Sequence, residues 1–284
     1  MAPSSFLIFD RALQSRRHAR ALAGGPADFL LARAADEIVE RLQAVMRQFS
    51  AIGDIGTPLA LLSARLAAHY PAACVTHLAS AGGANVIGDA ERLPFAREAF
   101  DLAVSALALQ DVNDLPGALA QIRRSLRPDG LFLGCLVGGA TLRELRAALA
   151  EAETDIAGGV SPRVAPFADL RDMGGLLQRA GFALPVADVE TLTVRYPHLF
   201  ALFADLRAMG TTNALVERIK RPTRRALFLR AAEIYARDHA DADGRLRATF
   251  ELIFLSGWAP HESQQKPLKP GSGQVSLAEA LRKP

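Results

Sequence analysis

The segment GDIGTPLALLSARL, residues 53–66, places an apolar strand end, a turn and a helix in immediate succession. SAIGDIG predicts a strand that ends at Asp54 to Gly56. Pro58 is suited to the first turn of the helix that follows, because a proline there forfeits no helical hydrogen bond. A strand that passes directly into a helix is the first half of a βαβ unit, so a parallel sheet is expected to begin here.

The same alternation continues along the next 70 or so residues. ACVTHLA (73–79), FDLAVSALAL (100–109) and LFLGCLVG (131–138) are apolar runs typical of strands buried on both faces. Asp114 is suited to cap the helix that precedes the last of them, and Pro128-Asp129-Gly130 to stop it. The expected fold is α/β, with a Rossmann-like, mostly parallel sheet.

The last 130 or so residues change rhythm. VADVETLTVRY (186–196) alternates like a strand, PHLFALFADLRAM (197–209) predicts a lid helix, and RATFELIFLSGW (247–258) predicts a final, antiparallel strand. One domain is expected over residues 1–267, followed by a polar tail, 268–284. Its parts are an N-terminal helical cap, 1–48, a core, 49–196, lid helices, 197–240, and a last strand, 245–258.

Composition excludes several classes of protein. The chain of 284 residues is 50% hydrophobic with a formal net charge of +3, and the basic excess is spread along the chain, so nucleic acid is not an expected partner. We expect no transmembrane segment and no secretory signal. Cys74 and Cys135 lie in apolar runs and are expected to be reduced core residues of a cytoplasmic protein. RIKRPTRR (218–225) is a solvated helix entrance, or faces an acidic partner or a membrane surface.

Four motifs in order carry a resemblance to a known family. Asp54-x-Gly56, GDAERLPF (88–95), FDLAVSALALQDV (100–112) and LRPDGLFLG (126–134) together resemble the class I S-adenosylmethionine-dependent methyltransferases. This likeness implies a Rossmann-like sheet that binds S-adenosylmethionine at the carboxyl ends of its strands.

Further blocks resemble one subfamily, the complex I assembly factors. These blocks are GGATLRELR (138–146), AETDIAGGVSPRVAPF (152–167), VRYPHLFALFADLRAMG (194–210) and SGWAPHESQQKP (256–267). The mitochondrial member of that group is regarded as an arginine hydroxylase of a quinone-oxidoreductase subunit. The malonyl-carrier-protein methyltransferase of biotin synthesis is similar at a greater distance.

The resemblance assigns cofactor contacts to particular positions. Asp54 would hold the turn or the methionine amine, Asp89 would accept from the adenine amine, and Ser80 would replace the acid that usually binds the ribose. The full set is Asp54, Gly56, Ser80, Asp89, Ala90, Ser105, Ala106 and Leu107.

The chain also departs from the family pattern. Thr57, Pro58 and Leu59 stand where further glycines are usual; Pro58 removes an N–H donor and Leu59 adds bulk. The segment THLAS (76–80) offers no carboxylate for the ribose, and His77 is expected to be a packed side chain. Cofactor binding is therefore expected to be retained but weakened, the alternative being a loop closed to the ligand.

For the acceptor side, the strongest polar group is His261 with Glu262, after Trp258, which could line a pocket over the sheet edge. The alternative is a surface turn with a packed tryptophan. Arg163 and Tyr196 are expected to border the acceptor groove or to fix loops. No two-His-one-carboxylate triad has convincing spacing, so no metal site is expected.

Three functions remain open from the sequence. The first is an enzyme of the assembly-factor type that modifies an arginine of a quinone-oxidoreductase subunit. The second is a small-molecule or carrier-protein methyltransferase, close to biotin or quinone synthesis. The third is a non-catalytic assembly chaperone with a degenerate cofactor site, which Thr57, Pro58 and the missing ribose acid favour.

Overall fold

The computed structural model describes residues 7–80 and 83–265, which fold around one seven-stranded sheet. The expected polar tail, 268–284, and the first six residues of the N-terminal cap lie outside the described residues. The strands are β1 (Ala51–Ile55), β2 (Cys74–Ala79), β3 (Val86–Ile87), β4 (Phe100–Ala106), β5 (Leu126–Val137), β6 (Ala183–Tyr196) and β7 (Leu246–Trp258). The helices are α1 (Arg11–Ala23), α2 (Phe29–Gln43), α3 (Leu61–His69), α4 (Leu115–Ser125), α5 (Arg143–Ala157), α6 (Leu170–Arg179), α7 (Leu199–Ala208) and α8 (Arg225–His239).

The strand order is β3-β2-β1-β4-β5-β7-β6. The first five strands of this order pair in parallel, and β7 is antiparallel to both β5 and β6. This confirms the expected fold class, including the antiparallel strand near the C-terminus. The two-residue strand β3 was missed, because it lies in the segment expected to be a glycine-rich link.

The order of the strands also fixes where a ligand can bind. From β1 the chain first adds strands on one side, β2 and β3, and then crosses to the other side with β4. The loops that leave the carboxyl ends of β1 and β4 therefore diverge and leave a crevice between them. This crevice lies at the carboxyl edge of the parallel strands.

Helices cover both faces of the sheet. Buried residues of α2 and α3, such as Ile38 and Leu66, pack on one face, and residues of α4 and α6, such as Ile122 and Leu177, pack on the other. A third cluster, built on α5, α7 and α8, packs above the carboxyl edge around Tyr235. Leu30, Ala34, Ile38 and Leu42 recur every four residues along α2 and are all buried.

Two local features test the sequence reading directly. Asp114 caps α4 as expected, since its side chain accepts from the N–H of Gly117 at 2.8 Å.

Cys135 is buried in β5, and burial raises the pKa of its thiol. Cys74, expected in the core, is instead exposed. It opens β2, where it pairs with Ala51 of β1, and the two-residue strand β3 pairs only with the other end of β2, at Leu78 and Ala79.

Candidate functional site

The loop after β1 is held by side chains rather than by a run of glycines. Gly56 has φ +79°, which favours glycine, and a Cβ there would lie 3.1 Å from the Cβ of Ala108. Asp54 is fully buried. Its carboxylate accepts from the Thr57 hydroxyl and, at 2.6 Å, from the Ser63 hydroxyl in the first turn of α3. Burial raises the pKa of Asp54, although the hydrogen bonds from Ser63 and Thr57 act against this.

Thr57 also ties this loop to the neighbouring strands. Its hydroxyl accepts from the N–H of Ala106 at the end of β4, at 3.1 Å. Its carbonyl lies 2.9 Å from Nε2 of His77, the buried histidine of β2. Since Thr57 is itself fully buried, these contacts close the loop on the side of the sheet. Thr57 therefore anchors the loop to β2 and β4.

The predicted cofactor positions surround the crevice. Ser80 is exposed at the end of β2, Ala90 and Ala106 are buried, and the Ser105 hydroxyl is committed to the carbonyl of Ile55 at 2.7 Å. Leu107, directly after β4, adopts φ +50° and donates its N–H to the carbonyl of Cys135. The structure therefore brings the eight positions to one edge of the sheet, and leaves their cofactor role as a prediction.

Asp89 has a partner that the sequence did not reveal. Its Oδ1 accepts from Arg11 of α1 at 2.6 Å and from the N–H of Glu91 at 2.9 Å. Arg11 also donates to the carbonyl of Asp111 at 3.0 Å. The first helix of the chain is thereby fastened across the carboxyl edge of the sheet.

A cavity of about 510 Å³ opens beside these positions, a size typical of ligand pockets. Its walls come from α1, from the loops after β1, β4 and β5, from the segment 163–167, and from α7. They are mostly apolar. The aromatic members of the lining are Phe9, Phe167, Phe200, Phe203, Phe228 and Phe250. Leu107, one of the predicted cofactor positions, belongs to the wall.

Arg163 is in the cavity wall, as expected for a residue of the acceptor groove. It forms an ion pair of 2.7 Å with Glu153 of α5, whose side chain is 3% exposed. Glu153 also accepts from the N–H and the hydroxyl of Ser161 at 2.8 Å. Arg163 therefore both borders the cavity and fixes the loop that forms one of its walls.

Tyr196 ends β6 at the carboxyl edge and is buried in the cluster of α5, α7 and α8 rather than in the cavity wall. Burial and the nearby Asp205 raise the pKa of its phenol. The hydroxyl has no hydrogen-bond partner among the described residues.

His261 and Glu262 require a correction of position. Trp258, just before them, pairs with Leu131 and with Ala183, the first residue of β6. Because β7 runs antiparallel, its end lies at the amino edge of the parallel strands, opposite the crevice. Both residues are exposed there, and the imidazole of His261 forms a hydrogen bond with the nearby Ser263. The surface-turn alternative describes them, and the expectation that Trp258, His261 and Glu262 line the substrate pocket is not met.

Sequence reasoning missed Gln110 and Asp111, which form part of a short 3-10 helix, Leu109–Asp111, and line the cavity. Gln110 donates to the carbonyl of Leu107 at 2.8 Å. Burial raises the pKa of Asp111 to about 6, against the opposing charge of Arg11. The signal that could have found both residues is their place directly after a fully buried strand that ends at the ligand edge.

Replacing Asp111 with asparagine should stabilise the protein at neutral and alkaline pH. The carboxyl has a pKa of about 6 in the folded state against an ordinary 3.8, so stability falls as pH rises between these values. The variant should gain about 1–2 kcal/mol near pH 8 and nothing near pH 3.5, after allowance for partial exposure. Chemical denaturation at both pH values measures this gain. Asp172→Asn, at an exposed site, should give none, and a loss for Asp111→Asn at both pH values would contradict the expectation.

Within residues 7–80 and 83–265, no group of three or more His, Cys, Asp or Glu side chains is placed to hold a metal ion. Over the same residues, no helix combines the length and the apolar character needed to cross a membrane. Arg218 of the basic segment forms an ion pair of 3.1 Å with Asp10.

Comparison with known proteins gives consistent results. A methyltransferase domain family matches residues 63–134. The mitochondrial arginine-hydroxylase NDUFAF5 of Danio rerio is 36% identical over 286 residues, 96% of this chain and 89% of that protein. A malonyl-acyl-carrier protein O-methyltransferase of Laribacter hongkongensis is 33% identical, covering 83% of this chain and 84% of that protein.

Among solved structures, the YcgJ protein of Bacillus subtilis shares the fold with a TM-score of 0.54 at 15% identity, over 81% of this chain and 99% of that one. The likeness to NDUFAF5 extends over nearly the whole length of both proteins and includes the segments that build the cavity. The chain therefore belongs to the methyltransferase-fold family that includes the NDUFAF5 arginine hydroxylases.

Proposed function

We propose that this chain binds S-adenosylmethionine and modifies an arginine of a partner subunit of a respiratory quinone oxidoreductase. The position of the cavity is the observation that carries this proposal. Leu107, one of the predicted cofactor positions, forms part of the cavity wall, so an acceptor held in the cavity would lie beside the predicted cofactor site. The family relationship to proteins named arginine hydroxylases supports arginine as the acceptor.

The residues at the carboxyl edge fit the cofactor in part. Arg11 and the N–H of Glu91 occupy Oδ1 of Asp89, which leaves Oδ2 without a hydrogen-bond partner among the described residues and free to accept from an adenine amine. Gly56 lets the backbone approach closely. S-adenosylmethionine, when bound, supplies an electrophilic sulfonium methyl group, and alignment of the acceptor is the main task left to the protein.

Two features support weak binding. No carboxylate stands at the end of β2, where Ala79 and Ser80 lie, and the Thr57 hydroxyl is committed to Asp54 and Ala106. If the chain binds no cofactor at all, these features favour the third function, a non-catalytic assembly chaperone that keeps only the fold.

One observation favours the second candidate function, methylation of a small molecule or an acyl group on a carrier protein. The walls of the cavity are largely apolar, with six phenylalanines, and such walls suit an acyl chain. Relatives named malonyl-acyl-carrier protein O-methyltransferases at 33% identity point the same way.

Calorimetric titration of the full chain with S-adenosylmethionine tests the proposal. A ligand that binds only the folded state stabilises it by about 2.7 kcal/mol at 100 times its Kd, so thermal unfolding provides a second readout. Asp89→Ala should weaken binding, and Asp172→Asn, with its exposed side chain, should not. Absence of heat and of stabilisation at millimolar ligand would leave only the scaffold function. Mass spectrometry of arginine peptides from a co-purified subunit then separates gain of a methyl group from gain of an oxygen atom.

A further inference from the structure

We infer that Gln110 and Asp111 bind the guanidinium group of the arginine substrate, which makes them specificity-determining residues of the cavity. The inference rests on the proposed function and adds the groups that select its substrate.

Asp111 is a carboxylate without a cation. It lines the cavity, and among the described residues it forms no ion pair. Arg11 donates to the backbone carbonyl of Asp111, but it forms its ion pair with the carboxylate of Asp89. Burial of a carboxylate is costly, and it raises the pKa of this one to about 6, although the charge of Arg11 and a hydrogen bond from Gln110 act against it. A cationic ligand would remove that cost.

Gln110 supplies a second acceptor beside it. Its amide nitrogen is held by the carbonyl of Leu107 at 2.8 Å, which turns the amide oxygen away from that contact. The Oε1 atom is buried and has no hydrogen-bond partner among the described residues. A buried acceptor of this kind requires a donor, and a ligand in the cavity is able to provide one.

The chemistry of the two acceptors and the walls matches an arginine side chain. A guanidinium is planar, always charged, and presents five N–H donors in a fixed fork, so one group serves a carboxylate and a neighbouring amide oxygen together. Its aliphatic stem would lie against apolar wall residues such as Leu107 and Leu142. An ammonium group would meet the carboxylate as a compact point charge without this planar match.

The other charged groups at the cavity do not neutralise Asp111. Arg163 is paired with Glu153. His18 of α1 is held toward its neutral form, because burial and then the charge of Arg11 lower its pKa. Arg207 of α7 also lines the cavity, and among the described residues it forms no ion pair with Asp111.

Titration calorimetry of the full chain with N-acetyl-L-arginine amide tests the inference. The matched probe is N-acetyl-L-citrulline amide, which keeps the shape and loses the charge. The arginine probe should bind wild type about 10- to 100-fold more tightly than the citrulline probe, as expected for hydrogen bonds to a charged group. Asp111→Asn should lose that preference, and Gln110→Leu should weaken the arginine probe severalfold. Asp172→Asn should bind as wild type does.

The pH dependence gives an independent readout. Binding of the arginine probe should strengthen as pH rises through about 6, because the ionised form of Asp111 is the one that binds. His18 is a second titratable group at the cavity, so His18→Gln should keep the pH dependence, whereas Asp111→Asn should abolish it.

Three results of the binding measurements would overturn the inference. They are equal affinity for both probes, no binding of the arginine probe to wild type at millimolar concentration, and an Asp111→Asn variant that weakens S-adenosylmethionine but not the arginine probe. The last result would assign the carboxylate to the cofactor. If Asp111→Asn still modifies the subunit at the wild-type rate, the inference fails while the proposed function stands; if wild type modifies no subunit, the proposed function fails whatever the probes show.

Discussion

Replacing Glu153 with alanine should lower the free energy of unfolding by about 3–5 kcal/mol, the usual cost of removing one partner of a buried ion pair. Glu153 is 3% exposed and holds Arg163 at 2.7 Å. Its loss would leave the Arg163 guanidinium and the N–H of Ser161 without their acceptor. Urea denaturation followed by circular dichroism measures the change.

Glu151→Ala is the matched control for this variant. Glu151 lies two positions before Glu153 on the same helix, and its ion pair with Arg237 is exposed, so the loss should stay below about 1 kcal/mol. Equal losses for the two variants would show that the Glu153 pair contributes no more than a surface pair.

The effect at Glu153 should depend on pH with a definite sign. Burial alone would raise the pKa of this carboxyl, but the hydrogen bonds from Arg163 and Ser161 outweigh burial and hold the pKa below its usual 4.5. A depressed pKa contributes stability that is present above the unfolded value and lost as pH falls through the folded one. The difference between wild type and Glu153→Ala should therefore shrink as pH falls below 4.5.

Replacing Thr57 with valine should cost about 2–4 kcal/mol, although the two side chains have nearly the same shape. The valine removes a hydroxyl that donates to the fully buried Asp54 and accepts from the N–H of Ala106. Both groups would remain buried with fewer partners. Thermal unfolding at neutral pH measures the loss.

Thr57→Ser separates the hydroxyl from the rest of the side chain. Serine keeps the oxygen and omits one methyl group, so it should recover most of the stability lost in Thr57→Val. If the serine and valine variants are equally unstable, packing of the methyl group, and not the hydrogen bonds, makes Thr57 necessary. The serine variant also allows the S-adenosylmethionine titration to be repeated with the loop contacts intact.

The role of Thr57 changes how the altered loop is understood. From the sequence, Thr57 and Pro58 are departures from a glycine-rich loop and suggest its decay. In the fold, the hydroxyl and the carbonyl of Thr57 link β1 to β4 and to His77 of β2. Hydrogen bonds of Thr57 thus hold the loop in position, although it lacks the further glycines that are usual in the family.

The positions of the residues on the acceptor side could not be predicted from the sequence. His261, Glu262 and Trp258 are an attractive polar and aromatic group along the chain, yet the antiparallel course of β7 carries them to the amino edge of the sheet. Arg163 reached the cavity as expected, but its partner Glu153 carried no sequence signal. Gln110 and Asp111 follow a strand that was predicted correctly. The cavity that they line is formed with residues of α1 and α7, which are distant in the sequence, so the sequence did not show that they face a cavity.

The sequence by itself determined the α/β alternation, the parallel core strands, the cap of α4 and the edge of the sheet at which the cofactor positions meet. These follow from local rules, since the period of apolar residues and the direction of successive strands are set within a few residues of each other. Only the tertiary structure decided which side chains share the cavity, which carboxylates are paired, and what Thr57 holds. Burial, ion pairing and pKa depend on partners far apart in the chain, such as Arg11 with Asp89, and no local pattern encodes that approach.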